Sequence, residues 1–574
     1  MKKTLTILII LISLFGCQFS KSPSDDGSNK GFESALDTAL VSLIGSTDPS
    51  SNYLLEHPED YDVDVEHYQF RLGSEEDFEM SKDLIKDIEK NIRKFKDRTL
   101  SDQQIIDKKV LLYELERMTS GYQPFQFQVD PELDAIPQFL EGYTFRTEKD
   151  VLGYRSLLQS IPPYFKESIA FYNKTEMLTE YEHENLSAFA AVMIEQSQLE
   201  SFFLIKGFED KINAADFIKD SKKQFYIEEN KRFIQEDYHD AFIQLAKDLK
   251  TVKTRENRGL AHVDQGKAYY ETLIPSLSGR NLTIPEFQMW ISNRRIEVYK
   301  RLQDVENSDQ LQIYQDYERT RQSPQYADAY ALIDDLYLKS QRDFPELGTI
   351  PYEVNKIDAS LTAVSNPAFY YVPPIDSAVD YTQRIYINDD FDPANFTTFA
   401  HESIPGHMYQ AQYMRTIKGM HPIRLYIRNN AMTEGWAQYV EQLSIRYLDG
   451  PDGYDDYIRD LYESMYLIFL EVDIGVHYND WDREAMGAYF DSVYVQNSEE
   501  ERDQIYRQIV LEPGNIWSYY FGAMSIQSMK ERAQTALGDA FDEKAFHKLI
   551  LDLGSASLDI VETVFAGYLE EQKQ

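Results

Sequence analysis

Apolar residues recur three and four apart over most of this chain. Phe32, Leu36, Leu40, Leu43 and Ile44 make one stripe, and Leu84, Ile85, Ile88, Ile92 and Phe95 make another, with polar residues on the opposite faces. That period belongs to helices with one face turned to a core. Ser101 and Gln104 are spaced as a capping box with Leu100 and Ile105 as its hydrophobic staple, which predicts a helix from Asp102. Further helices are predicted over 154–172, 186–205, 230–252, 284–303 and 328–342. No fixed-period repeat stands out.

Strand signals are few. Phe125, Phe127 and Val129 alternate with glutamines; 368–372 is aromatic-rich and stops at Pro373-Pro374; 384–388 (RIYIN) is short and lies in a turn-rich region. The last two precede a helix start, with Asp392 as cap and Pro393 in the first turn. A small sheet there is ordinary scaffold, or it presents an edge that can pair with an extended peptide. The pattern as a whole predicts a mainly α protein with a small β-sheet.

With 574 residues the chain can form several domains or one large one. Its formal net charge of −39 argues against nucleic acid and against electrostatic docking on anionic lipid, and reads as solubility. The first residues change the picture. Lys2 and Lys3 precede the apolar run Leu5 to Phe15, which is too short to span a bilayer, and Gly16-Cys17 follows. Cys17 is the only cysteine, so no disulfide forms within one chain. Leu14-Phe15-Gly16-Cys17 resembles the bacterial lipoprotein signal, which implies cleavage before Cys17 and its lipidation, a stable anchor. Gln18 in place of Asp, by resemblance to enterobacterial sorting, favours the outer membrane. The expected organisation is a signal peptide at 1–16, a lipidated cysteine and flexible tether at 17–31, a helical N-terminal half at 32–350 and a metal-binding half at 351–574.

The candidate chemistry centres on His401-Glu402-Ser403-Ile404-Pro405-Gly406-His407. Two imidazoles and a carboxylate suit a hydrolytic zinc site, the rings as ligands and the acid as proton acceptor from water. The common helical version places its histidines one turn apart. Here they are six residues apart, roughly 240° around a regular helix, so their rings would diverge. Either the segment is no metal site and the helix ends at Pro405, or the helix is deformed between the histidines. Pro405 supports deformation, because its ring clashes with the carbonyl of His401, and Gly406 accepts unusual backbone angles. An interior proline costs roughly 3 kcal/mol, against about 10–16 kcal/mol returned by a structural zinc.

A catalytic zinc has three protein ligands. Glu434, 27 residues beyond His407, is the best third candidate, and Gly435 beside it lets backbones come close. Glu441 is two helical turns on, nearly on the same face; it either supports the ligands or is a solvated surface acid. Asp473 and His477, four apart, could orient one another, reach the substrate or form a structural pair. Tyr519 or Tyr520, after Pro513-Gly514, could hydrogen-bond a developing oxyanion. His421, before Pro422, reads as non-catalytic.

The segments AFYYVPPIDSAVDYTQRIYIN, HESIPGHMYQ, TEGWAQYVEQL, DIGVHYNDW and EPGNIWSYYFG to FHKLILDLG resemble the bacterial domain-of-unknown-function 885 family, which contains many predicted lipoproteins. HESIPGH is similar to that family's His-Glu-x-x-Pro-Gly-His signature. In the N-terminal half only GLAHVDQGKAYYETLIP carries the likeness. The resemblance implies a large helical zincin-like fold, similar in outline to neurolysin-type and carboxypeptidase-Taq-type metallopeptidases, with two helical halves beside a deep cleft. It implies one zinc ion on His401, His407 and Glu434, and Glu402 as base. Two departures stand out: no glycine-rich stretch near 172–188, and the segment 466–471 (YLIFLE) where relatives often carry arginine. The expected activity is that of a zinc metallopeptidase on peptide substrates outside the cytoplasm, with Tyr519 or His477 at the oxyanion and Glu441 and Asp473 in support. A zinc hydrolase of other amides or esters and a non-catalytic binding lipoprotein are the alternatives. Oligomeric state is not legible.

Overall fold

The computed structural model describes residues 29–45, 47–129, 131–357, 368–388 and 391–572. The signal peptide, Cys17 and the tether up to residue 28 lie outside the described residues. Helices dominate, with one three-stranded sheet. The capping box is present: Gln104 N–H donates to Ser101 Oγ (3.2 Å) and Ser101 N–H to Gln104 Oε1 (3.0 Å), opening the helix Asp102–Thr119. The predicted helices at 154–172 and 284–303 lie within Glu148–Thr175 and Ile284–Glu306, and the one predicted at 328–342 is observed as Ala329–Ser340, with Asp328 as its cap. The 230–252 helix is interrupted by a π-helical turn at Ile234–Tyr238.

Two predicted elements differ. The 186–205 stretch breaks into Glu180–Gln196 and Phe203–Ala214. Phe202 and Phe203 are both buried, one against the other at 4.6 Å. Neighbours on a continuous helix point about 100° apart, so burying both in one core favours a turn before them. Phe125, Phe127 and Val129 form no strand; Phe125–Gln128 is a single helical turn. Its two rings serve different partners, Phe125 meeting Phe171 and Phe127 stacking on Tyr269 at 4.6 Å. Alternation here reflects two packing neighbours rather than two faces of a sheet.

Two large hydrophobic cores account for most of the buried apolar residues. One runs from Phe32 to Leu249 and takes in Ile375, Ile423, Tyr426 and Ile427. The other runs from Leu260 to Phe565 and takes in Val110. The cores therefore divide between 249 and 260, and the helices Gly266–Ser278, Ile284–Glu306 and Ala329–Ser340 pack with the C-terminal core rather than with the N-terminal half expected to reach 350. Each core borrows from across the division, which ties the halves by apolar contact.

The sheet has the order β1 (Tyr352–Lys356), β3 (Gln383–Ile387), β2 (Ala368–Tyr371). β1 runs parallel to β3 and β2 antiparallel. Gln383, Ile385 and Ile387 alternate inward on the central strand, as period two requires. β1 escaped sequence reasoning because YEVNK has little apolar character. β2 is an edge strand, and its outward side faces the helix Phe396–Glu402. Asp392 Oδ1 accepts from Ala394 N–H (2.9 Å), capping the 3-10 turn Pro393–Asn395 that leads into that helix, and Phe396 and Phe399 anchor the helix in the second core.

Candidate metal centre

The helix Phe396–Glu402 stops at Glu402, and a second helix begins at His407 and runs to Thr416. Ser403 N–H makes the last bond of the first helix, to Phe399 O (2.8 Å), and Gly406 O accepts the first bond of the second, from Gln410 N–H (2.9 Å); between them Tyr409 N–H donates to Ser403 O (3.1 Å), closing the loop. A Cβ on Gly406 would lie 1.8 Å from His401 O, so only glycine fits. Trp436 Nε1 holds the loop from the other side by donating to Pro405 O (2.9 Å). With the helix broken, the imidazoles converge: their centroids are 4.8 Å apart and their planes nearly perpendicular.

Glu434 arrives on the helix Asn430–Leu443. That helix packs against the turn and helix around Gly522 so closely that a Cβ on Gly435 would lie 2.5 Å from Gly522 Cα, and one on Gly522 2.3 Å from Ala431 O. Glu434 Oε2 stands 3.4 Å from His407 Nε2 and 4.0 Å from His401 Nε2. One donor atom from each of the three residues lies within 4.8 Å of the others. Nitrogen and oxygen ligands at roughly 2.0–2.2 Å in a tetrahedral zinc site are separated by about 3.4 Å, so both the donor types and their spacing fit zinc.

Glu402 lies beside these donors. Its Oε2 accepts the backbone N–H of Tyr370 on β2 (2.8 Å), and its Oε1 is 4.0 Å from His401 Nε2. Burial raises its pKa, with the two imidazoles acting against that rise. Burial also works against the charge on Glu434, but His407, His401 and the Tyr519 hydroxyl outweigh it and hold the carboxylate below its ordinary range. His401 turns its Nδ1 to Glu441 Oε2 (3.0 Å), leaving Nε2 for the centre. Burial disfavours an imidazolium there, yet the Glu441 hydrogen bond and the charges of Glu402, Glu441 and Glu434 push His401 to about 9. Such an imidazolium gives up its proton to a metal that binds.

Sequence reasoning missed several supporting groups. Gln438 donates to Glu441 Oε2 (3.1 Å) and to the Tyr466 hydroxyl (3.3 Å), and Tyr466 stacks on Tyr520 at 3.9 Å. Gln438 could have been found: it lies four residues after Glu434 and three before Glu441, on the same helical face. The Tyr370 backbone contact had no sequence signal, since any residue supplies an N–H.

His477 does something other than meet an oxyanion. Its Nδ1 accepts Leu260 N–H (3.1 Å) and its Nε2 donates to Ile509 O (2.9 Å), so both ring nitrogens are committed to backbone, and burial lowers its pKa to keep it neutral. Asp473 likewise does not support the three donors directly. It accepts from the Tyr270 hydroxyl, Trp517 Nε1 (3.0 Å) and Gly514 N–H (3.1 Å), fixing the turn that leads into the π-helical segment Trp517–Phe521 carrying Tyr519. The segment GLAHVDQGKAYYETLIP thus provides Leu260 and Tyr270 to this hub. His547 is also structural, accepting from the Tyr439 hydroxyl and donating to Asp343 O, both at 2.7 Å. His421 accepts Ile423 N–H at Nδ1 and meets Asp37 at Nε2 (3.1 Å), away from the centre. Glu471 is occupied by Arg295 and by the Tyr489 hydroxyl (2.6 Å).

Fold and site together define a mainly helical protein with a small sheet and a buried three-donor centre of the His-Glu-x-x-Pro-Gly-His type. The chain belongs to the family described as bacterial protein of unknown function (DUF885), whose profile matches residues 65–564. No curated protein matches it. Its fold is similar to a crystal structure described as "the putative lipoprotein from Colwellia psychrerythraea", with a TM-score of 0.75 at 19% identity over 95% of this chain and 100% of that one. A "putative lipoprotein of unknown function from Shewanella oneidensis" follows with 0.61 at 16% identity, over 94% and 100%. A "putative oligoendopeptidase F from Bacillus anthracis str. Ames" aligns at 0.32 and 13% identity over 88% and 96%, a level from which no shared fold follows. Among the described residues no helix is long and apolar enough to cross a membrane.

Proposed function

We propose that this protein is a zinc-dependent metallopeptidase that hydrolyses peptides outside the cytoplasm. The observation that carries the reading is the convergence of His401, His407 and Glu434 with Glu402 next to them, held by Tyr370 and left over as a base. A purely structural site has no need of that fourth group. Zinc, when bound by His401, His407 and Glu434, supplies a Lewis acid and acidifies water. Glu402 takes the proton of the attacking water and returns it to the leaving amine. Tyr519, beside Glu434, donates to the developing oxyanion. The edge strand β2, whose Tyr370 touches Glu402, is placed to pair with an extended peptide. Lipidation at Cys17 would hold the enzyme at a membrane, the outer one by the residue after the cysteine; the description of both structural neighbours as lipoproteins supports the lipid anchor.

The test uses purified protein, elemental analysis and a peptide library set against a panel of small amides and esters. About one zinc per chain is expected, with peptide cleavage that stops on chelation and returns with zinc. Cleavage of small amides or esters but no peptide would shift the substrate class, and metal-free protein that cleaves at the full rate would refute the reading. Glu441→Gln is expected to weaken zinc binding by about 10–100-fold, because it loosens the orientation of His401. A competition titration against a coloured chelator reads this, and unchanged affinity would show that His401 is oriented without Glu441.

A further inference from the structure

The helix Tyr454–His477 carries Tyr466 and Asp473, seven residues apart and so on one face. Both bear on the π-helical segment Trp517–Phe521. Asp473 holds its front, accepting from Trp517 Nε1 (3.0 Å) and from Gly514 N–H just before it (3.1 Å). Tyr466 holds its rear: its ring lies on that of Tyr520, with centroids 3.9 Å apart and planes 9° apart. Tyr519 stands between these two fixed positions. A π-helical turn is wider than an α-helical one and rare in helices, and here it is clamped at both ends.

The hydroxyl of the same Tyr466 leads to the metal donors. It accepts from Gln438 Nε2 (3.3 Å), and that amide gives its other hydrogen to Glu441 Oε2 (3.1 Å). Glu441 Oε2 in turn meets His401 Nδ1 (3.0 Å). Gln438 and Tyr466 are both buried, so a bond cut there is not made good by water. Burial, reinforced by the charge of Glu441, raises the Tyr466 pKa and keeps the phenol protonated. An unbroken run of contacts therefore joins His401, a metal donor, to Tyr520, the neighbour of Tyr519. The backbones on either side are already fixed by the close approach of Gly435 and Gly522. What remains to be set is the orientation of the side chains, and Tyr466 bears on both groups.

We propose that Tyr466 is a positioning residue with two separable duties. Its hydroxyl, through Gln438 and Glu441, orients His401 for the metal. Its ring, through Tyr520, holds Tyr519 where an oxyanion forms. The second duty rests on the peptidase reading; the first requires only that the centre binds zinc. One side chain thus sets the metal donors and the oxyanion donor against each other, and substitutions that divide it should divide its effects.

Four variants of the full chain make the division. Tyr466→Phe keeps the ring and loses the hydroxyl, Tyr520→Leu loses the stack alone, Tyr466→Leu loses both, and Gln438→Leu cuts the relay. Zinc affinity is read by titrating metal-free protein against a chelator competitor, kcat and KM on a cleaved peptide at saturating zinc, and the fold by a thermal melt. Tyr466→Phe is expected to weaken zinc by about three- to tenfold, less than the loss of a direct partner of a ligand. Tyr520→Leu is expected to lower kcat by about tenfold, less than removal of an oxyanion donor, with the loss in kcat rather than KM. Tyr466→Leu shows both losses. Adding Tyr466→Phe to Gln438→Leu weakens zinc no further, because one relay is cut twice. Wild-type zinc affinity in Tyr466→Phe, or losses that add in full, would overturn the duty of the hydroxyl. Wild-type kcat in Tyr520→Leu, or a loss in KM alone, would overturn that of the ring. Losses that merely track melting temperature across the variants would overturn both and leave Tyr466 a packing residue. If the wild type binds zinc but cleaves no peptide, the peptidase reading fails and the duty of the ring with it, while the zinc titrations still decide the duty of the hydroxyl.

Discussion

Glu402→Gln is expected to lower peptide hydrolysis by roughly a hundredfold to ten-thousandfold, the range general-base catalysis contributes, while zinc content stays at one per chain. The carboxamide has the shape of the carboxylate, and its oxygen can still accept the Tyr370 N–H that holds Glu402 at 2.8 Å. What is lost is the capacity to accept and return a proton. Because burial raises the Glu402 pKa, neutralising the group removes a desolvated charge and should not unfold the protein. The measurement is kcat on a cleaved peptide beside elemental analysis and a thermal melt. Hydrolysis at the wild-type rate would show that another group is the base.

Glu434→Gln should act at the metal instead. The substitution replaces an anionic oxygen donor with a neutral one while leaving the Gly435–Gly522 approach untouched. Zinc affinity is expected to fall further than the roughly 10–100-fold assigned to Glu441→Gln, since a direct donor is altered rather than one that orients a donor. Activity at limiting zinc should disappear and recover only in part at high zinc. Titration of metal-free protein against a chelator competitor measures the affinity. If Glu434→Gln bound zinc as tightly as wild type, a different acid would have to be the third ligand, and Glu441 would be the first to test. The pair of variants separates two jobs that lie within a few ångströms: Glu402→Gln breaks chemistry with metal retained, and Glu434→Gln loses both together.

Much of this was legible in the sequence because it depends on local rules. The capping box at Ser101 and Gln104, the cap at Asp392 and the inward Phe396 and Phe399 follow from positions three and four apart. The break between Glu402 and His407 follows from a proline and glycine, neither of which continues a helix. Glu441 lies where two helical turns from Glu434 put it, and His401 meets it at 3.0 Å. Local rules failed where partners came from far along the chain. Phe125 to Val129 alternates like a strand, but its rings meet Phe78, Phe171 and Tyr269 rather than a neighbouring strand.

By itself, then, the sequence determined the helical class, the position of the helix break, and which residue types could hold a metal, because all three rest on neighbours within a few turns. Only the tertiary structure decided which titratable groups face one another. It left His477 with both nitrogens bound to Leu260 and Ile509, and gave Asp473 to the turn ahead of Tyr519. It put β2 against Glu402. Four residues of spacing cannot tell a catalytic pair from a structural one. Burial and the identity of the third neighbour do, and both are set by packing across hundreds of residues.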